Sequence, residues 1–442
     1  MEGIWQLILL GAAALAVFTQ RIDRVIAAYL FCAVNLEAFR FAGEETRITY
    51  EAVLSALVCI RLCFTTAVSA KLRSAWRDSR WLMIGAGCFA LAGILSAVGS
   101  IDPMRSWKAV GRLLSYLPLI AGIHRTLEMR GARWVTRVCL AGCVVPLICA
   151  GMQLLNPDLT IGDREWSPEM IATDTALAGA GLPRVNGTLN NANALAILLV
   201  IAVGWGAVSA WAWKRRRSSL YLLEAAAIAA LLLTFSRGVW LCTAALGVLW
   251  AAVNLPRRTA ALALCAVLLA GVGVGVSTGI FEARFKDLST PNNSLTWRFL
   301  VWAGIWEQPR TLERMLVGHG YDTMIVDNPV EEGSKAHNAY LAAYHDCGLL
   351  GVVAQLLVLV IPLRGLHKRL RQHWSRPEVR AVISFGYFLV LAFLVLSITE
   401  EPLTVPAVAV YFWTILLTCE KAARELLLGG APSLPDALRE AG

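Results

Sequence analysis

Long apolar runs separated by short polar interruptions dominate the pattern of the chain. About 20 apolar residues in helix cross the hydrocarbon core of a bilayer. Candidate spans lie at 4–20, 24–42, 50–71, 81–99, 107–123, 135–155, 190–213, 219–235, 238–254, 259–281, 339–364, 380–398 and 404–421. Helix is the element predicted for each, because backbone groups in lipid must be satisfied within the segment and strand-like alternation for a barrel is absent. Composition agrees: 57% of the 442 residues are hydrophobic and 16% charged, whereas soluble domains average about 45–50% and about 25%. A soluble globule, a disordered chain and a disulfide scaffold are excluded. The fold class expected is an all-α polytopic membrane protein.

The net charge of +9 follows topology rather than a nucleic-acid footprint. Five short stretches, Lys71–Arg80, Arg125–Arg137, Lys214–Arg217, Arg257–Arg258 and Arg364–Arg380, hold 20 of the 40 Lys and Arg residues. Basic loops between apolar spans resist translocation and mark the cytoplasmic side. Most of the 11 cysteines fall inside apolar spans and show no metal-ligand or pairing pattern, so they read as small hydrophobes. The first apolar run lacks a basic leader and a small-residue cleavage site, and is expected to be retained rather than removed. Asn35, Glu37 and Arg40 weaken the second candidate span. Treating 4–42 as one crossing leaves about twelve transmembrane helices with both ends inside.

Two polar segments, 156–189 and 282–338, face the other side and are too long for tight connections; loops of that length in compact proteins are usually functional or disordered. The second holds a helix-like stretch, Leu295–Glu307, and turn signals at Pro291-Asn292-Asn293 and Gly318-His319-Gly320, and reads as a folded cap. The expected organisation is helices over 1–281 with the external loop 156–189, a cap over 282–338, the last helices over 339–424, and a cytoplasmic tail over 425–442. Trp76, Trp81, Trp107, Trp134, Trp213 and Trp297 lie near span ends, as interfacial anchors do.

Ionisable groups in or beside spans are expensive and mark function or pairing. The external face collects Arg184, Asn190, Asn193, Arg237, Arg298, His319, His337, Asn338, Glu400 and Glu401. Taken singly, each has an ordinary structural reading. Arg237 serves as a snorkelling or capping cation, His337 as a residue at a helix start that Asn338 caps, Arg298 as a solvated charge, and Glu400-Glu401-Pro402 as a turn. Their co-location points further. Arginine forks suit phosphate oxygens, and a neutral histidine suits proton abstraction near pH 7. A diphosphate lipid with a hydroxyl acceptor would use that set.

These motifs resemble the lipopolysaccharide O-antigen ligase family, in the superfamily that also holds O-antigen polymerases and protein O-oligosaccharyltransferases. His337-Asn338, nine residues, Gly348, two residues and Gly351 is similar to the family's pattern at its last large external loop. The Arg184–Asn193 segment, Ser236-Arg237-Gly238, Arg298 with Trp302, and Gly318-His319-Gly320 support it. The resemblance implies a GT-C-like glycosyltransferase of the bacterial inner membrane with its active site on the periplasmic side. It would use no cofactor and no metal, and would move glycan from an undecaprenyl diphosphate-linked O-antigen donor to a sugar hydroxyl of the lipid A-core acceptor. Carried over by residue, His337 is the general base and Arg184, Arg237 and Arg298 hold the diphosphate. Asn190, Asn193, Ser236, His319, Asn338, Tyr340 and Glu400 are candidate supports. Membrane lipids are the expected surroundings, and no nucleic-acid partner is expected. A polymerase, a protein O-glycosyltransferase and a lipid transporter are the alternatives; a transporter would show broken helices and midplane charges related between two halves, and no such repeat is visible.

Overall fold

A computed structural model describes residues 2–36, 40–41, 48–64, 67–156, 159, 184–189, 191–214, 218–262, 265, 294–308, 311–330 and 335–428. The α-helices with described bounds are α1 Glu2–Thr19, α2 Ile22–Asn35, α3 Tyr50–Phe64, α4 Ala67–Val98, α5 Pro103–Arg130, α6 Ala132–Gly142, α7 Val144–Leu155, α8 Ala192–Ala212, α9 Ser218–Leu233, α10 Arg237–Asn254, α11 Ser294–Glu307, α12 Leu312–Val317, α13 Ala339–Gln372, α14 Pro377–Leu396 and α15 Pro406–Leu427. The strand content of the described residues is one two-residue pair, Arg40–Phe41 against Ile48–Thr49. The protein is therefore α-helical as expected. Among the described residues five stretches, Ala132–Leu155, Ala192–Ala212, Arg237–Asn254, Ala339–Gln372 and Pro377–Leu396, are long and apolar enough to cross a membrane by length and composition. The candidate span 259–281, most of loop 156–189 and the end of the tail lie largely outside the described residues.

Near the N-terminus the 4–42 stretch forms two helices, α1 and α2, separated at Gln20-Arg21. The break carries a buried charge: Asp23 accepts from Arg21 at 3.3 Å and from Arg130 at 2.6 Å, which compensates the cost of burying the carboxylate. Helix α15 is the core element. From Pro406 to Glu420 every residue is buried, and Tyr411 donates toward the carbonyls of Leu30 and Cys139 at 3.2 and 3.1 Å. Trp205 of α8 is likewise enclosed, its indole N–H satisfied by Thr136 Oγ1 at 2.8 Å, as a buried tryptophan requires.

The two ends of the bundle differ in their charges. At one end, basic residues meet acids: Lys214 with Glu378 at 3.3 Å, Lys421 of α15 with Glu128 at 3.1 Å, and Arg369 of α13 with Glu420. At the other lie the starts of α8, α10 and α13, the end of α14 and the segment with α11 and α12. Here Gly348 of the quoted motif acquires a physical cause. Gly348 interrupts α13 with φ 61° and ψ −156°, a conformation open to glycine, and a Cβ there would overlap the backbone of Leu316. Gly318, at φ 79°, abuts the backbone of Asp346 and Cys347 in the same way. The two glycines let the end of α12 close directly onto α13. His319 N–H and Gly320 N–H then donate to the carbonyls of His345 and Asp346, both at 3.0 Å.

Candidate functional site

The segment between α14 and α15 supplies the centre of the site. Ser397 closes α14, and its carbonyl accepts the N–H of Ala339 at 2.8 Å, which sets the start of α13 beside the 397–405 turn. Asn338 caps α13, its Oδ1 accepting from Tyr340 and Leu341 N–H at 3.0 and 3.1 Å, the satisfaction that orphan amides of a first turn need. Tyr340 donates its hydroxyl to the Leu394 carbonyl at 2.9 Å, so it anchors α13 to α14. His337 immediately precedes the cap with φ +50°. That left-handed conformation costs a non-glycine residue of order 1–3 kcal/mol and persists where surroundings over-determine it. The restraints are the Asn338 cap and the His337 N–H, which donates to Glu401 Oε1 at 3.1 Å.

Glu400 is the hub. Its Oε1 accepts from Asn193 Nδ2 at 2.7 Å and Arg298 Nη2 at 3.2 Å, and its Oε2 lies 3.6 Å from His337 Nδ1. Arg298 also donates to the Thr399 carbonyl at 2.7 Å. Asn193 extends the network, because its Oδ1 accepts from Arg184 Nη2 at 2.9 Å while Arg184 Nε donates to the Thr234 carbonyl at 2.8 Å. A Cβ on Gly238 would come within 3.4 Å of Thr399 Oγ1, so the Ser236-Arg237-Gly238 turn opening α10 packs on the same segment. Phe235, just before it, is a second non-glycine residue at φ +50°. The His337 ring stands edge-on to Trp297, centroids 6.1 Å apart, and Trp302 N–H ties the preceding Ala336 carbonyl at 2.8 Å. Trp297, expected as a membrane anchor, thus contacts the histidine.

Two adjacent carboxylates are shifted in opposite directions. Burial works to raise the Glu400 pKa, but the hydrogen bond and charge of His337, the charge of Arg298 and the Asn193 amide outweigh it, and Glu400 lies below the ordinary carboxylate range. For Glu401 burial prevails over Lys335 and His337, and the group is pushed upward. The neighbours of Glu400 favour its ionised form, while burial draws Glu401 the other way.

The structure brings together Arg184, Asn193, Arg298, His337 and Glu400, with Ser236-Arg237-Gly238 alongside. Asn338 and Tyr340 act on the helix rather than on the His337 ring. Asn190 lies outside the described residues. His319 belongs to a different cluster: its ring stacks on His345, centroids 4.8 Å apart, and His345 faces Asp327 at 3.2 Å and Asp346 at 3.1 Å. Among the described residues His319, Asp327 and His345 offer three metal-ligand atoms within 4.8 Å of one another. Sequence reading missed this cluster, although His345-Asp346 stands eight residues after His337 within the quoted motif.

A helical membrane protein with a histidine–carboxylate pair bracketed by arginines at one end of its bundle defines a class able to bind an anionic ligand and move a proton beside it. Residues 222–356, under a third of the chain, match the model of the O-antigen ligase family, and over that stretch the chain is similar to that family. The matched stretch includes Arg237, Arg298, His319 and His337, while Arg184, Asn193 and Glu400 come to the site from outside it. No curated protein matches the chain.

Proposed function

We propose that this chain transfers glycan from undecaprenyl diphosphate to a sugar hydroxyl of lipid A-core at the periplasmic face of the inner membrane, within a GT-C-like arrangement of about twelve spans. The observation that carries the reading is Glu400, whose carboxylate joins Arg298, Asn193 with Arg184 behind it, and His337. Glu400 at Nδ1 orients the ring so that Nε2 takes the proton from the acceptor hydroxyl, the division of labour by which a carboxylate fixes a histidine's tautomer and steadies its charged form. The deprotonated oxygen attacks the anomeric carbon from the side opposite the diphosphate, forming the new glycosidic bond as the carbon–oxygen bond to diphosphate breaks. The anomeric centre inverts.

The leaving diphosphate develops charge that Arg184, Arg237 and Arg298 stabilise. Preorganised cations of this kind contribute several kcal/mol in a water-poor site, and guanidinium forks match phosphate geometry. A diphosphate departs without protonation by an acid, so one histidine suffices. Both lipid substrates reach the site laterally from the bilayer, which fits a base placed where α13 begins.

The deciding experiment supplies purified protein with a lipid-diphosphate glycan and either lipid A-core or a second donor molecule. Product on the core is the expected result. Chain extension on the donor assigns a polymerase instead, and lipid movement between leaflets with no new glycosidic bond overturns the transferase reading.

A further inference from the structure

The His345 cluster has no part in that chemistry. His345 is fully enclosed at 0% exposure, with a carboxylate at each ring nitrogen: Asp346 Oδ1 is 3.1 Å from Nδ1, and Asp327 Oδ2 is 3.2 Å from Nε2. Asp346 is itself fixed, its two oxygens accepting the N–H groups of Asp322 and Met324 at 2.8 and 2.9 Å. A neutral imidazole has a single N–H. Donated to Asp346, it leaves the Nε2 lone pair facing a carboxylate oxygen, an arrangement that calls for a cation. The cation is either a second ring proton or a metal ion.

His319 favours the metal. Its ring lies over that of His345 with 26° between the planes, and its Nδ1 is 3.2 Å from the His345 carbonyl oxygen, so a neutral His319 donating there keeps its lone pair on Nε2. A proton shared by His345 and Asp327 needs no third donor. Yet one donor atom from each of His319, Asp327 and His345 falls within 4.8 Å of the others. Tetrahedral zinc with nitrogen and oxygen ligands at about 2.0–2.2 Å sets its donors roughly 3.3–3.5 Å apart. The His345–Asp327 edge nearly has that length, and the His319 ring reaches the ion by turning off its stack on His345. Asp346 behind His345 reproduces the carboxylate–histidine–metal arrangement that fixes a ligand ring. Asp327, at 38% exposure, leaves a path for the ion.

We propose that His319, Asp327 and His345 bind a divalent transition-metal ion, zinc by donor chemistry, with Asp346 orienting His345. The ion ties the segment after α12 to the first turns of α13. Its role is to hold the cap on the helix that His337 precedes, and glycan transfer makes no use of it.

The test uses the purified full-length chain in detergent, stripped with chelator and returned to Zn2+ alone. One zinc per chain by elemental analysis after gel filtration is expected, with the melting temperature raised by several degrees. Co2+ in its place gives the visible absorption of a tetrahedral site. His319→Ala and Asp327→Ala, chosen because the buried His345 is the replacement most apt to unfold the chain, each weaken zinc binding at least 10-fold, while His337→Ala retains it. Protein that takes up no zinc, or a His319→Ala variant that binds it with unchanged affinity, overturns the proposal and leaves a bridging proton at His345. Metal content is read without donor or acceptor, so this result and the outcome of the transfer assay are independent.

Discussion

His337 and His345 stand eight residues apart at the start of α13, and each faces carboxylate, yet their surroundings suit opposite tasks. The His337 ring is 29% exposed and meets a carboxylate at one nitrogen, Glu400 at 3.6 Å. The His345 ring is wholly enclosed and meets one at both nitrogens. A general base needs one nitrogen oriented and the other open to the proton it accepts. A ring satisfied on both sides cannot take a proton from a substrate; it binds a cation or is one. The pair teaches that a histidine beside an acid is no functional signature by itself. Exposure and the count of occupied nitrogens separate a ring able to act as a base from one that is not.

The comparison breaks most sharply under paired replacement. His337→Ala is expected to lower transfer by about 10²–10⁴-fold, the span usual for loss of a general base, with little change in melting temperature. His345→Gln is expected to do the reverse. Removing one partner of a buried charged group costs about 3–5 kcal/mol, so the melting temperature falls while the folded fraction keeps its turnover. Turnover per folded molecule and thermal melts, measured side by side, check both halves. A His337→Ala protein with full transfer, or a His345→Gln protein that is stable and inert, would reverse the assignment.

A smaller effect is expected at Glu400. Glu400→Gln keeps the size and the acceptor for Asn193 and Arg298 but sets an amide N–H against His337 in place of the anion that orients it, and should lower kcat by about 10²-fold while the donor KM changes far less. The pH dependence has a defined sign. A carboxylate held below its ordinary range in the folded protein contributes stability that is present above that range and lost as pH falls through the folded value. The stability difference between wild type and Glu400→Gln should therefore shrink below about pH 4, as read by melting across an acid pH series. A gap constant with pH would show that Glu400 is not the ionised partner. Glu401, displaced upward by burial, contributes with the opposite sign.

Much of this was legible in the chain. Apolar runs mark the helices because lipid leaves the backbone no other solution, and the helix expected at Leu295–Glu307 appears as Ser294–Glu307. The arginines and His337 announced themselves because charged residues at span ends need a reason. The hub did not. Glu400 reads as a turn before Pro402, and its partners Asn193 and Arg298 lie 207 and 102 residues away in the chain, a separation no local pattern encodes. The grouping of His319 with Asp327 and His345 was hidden for the same reason, since it depends on two glycines that close α12 onto α13. A Gly-x-Gly turn is common, and nothing in its spacing says what it will pack against.

The finest test of the comparison is Asn338→Ala. The Asn338 side chain satisfies two amides of the first turn of α13, and its loss costs about 1 kcal/mol. That loosening falls unevenly. His337 lies outside the cap, in a left-handed conformation that the cap helps to hold, and relaxing it moves the ring away from Glu400. His345 lies two turns inside, held by Asp346 and by the His319 and Gly320 backbone bonds, none of which passes through Asn338. Transfer is expected to fall several-fold, with zinc affinity unchanged. Kinetics and metal titration on the same preparation read the two effects together. Equal losses at both histidines would mean that the first turns of α13 respond as one unit, and that the base and the clamp are not independently supported.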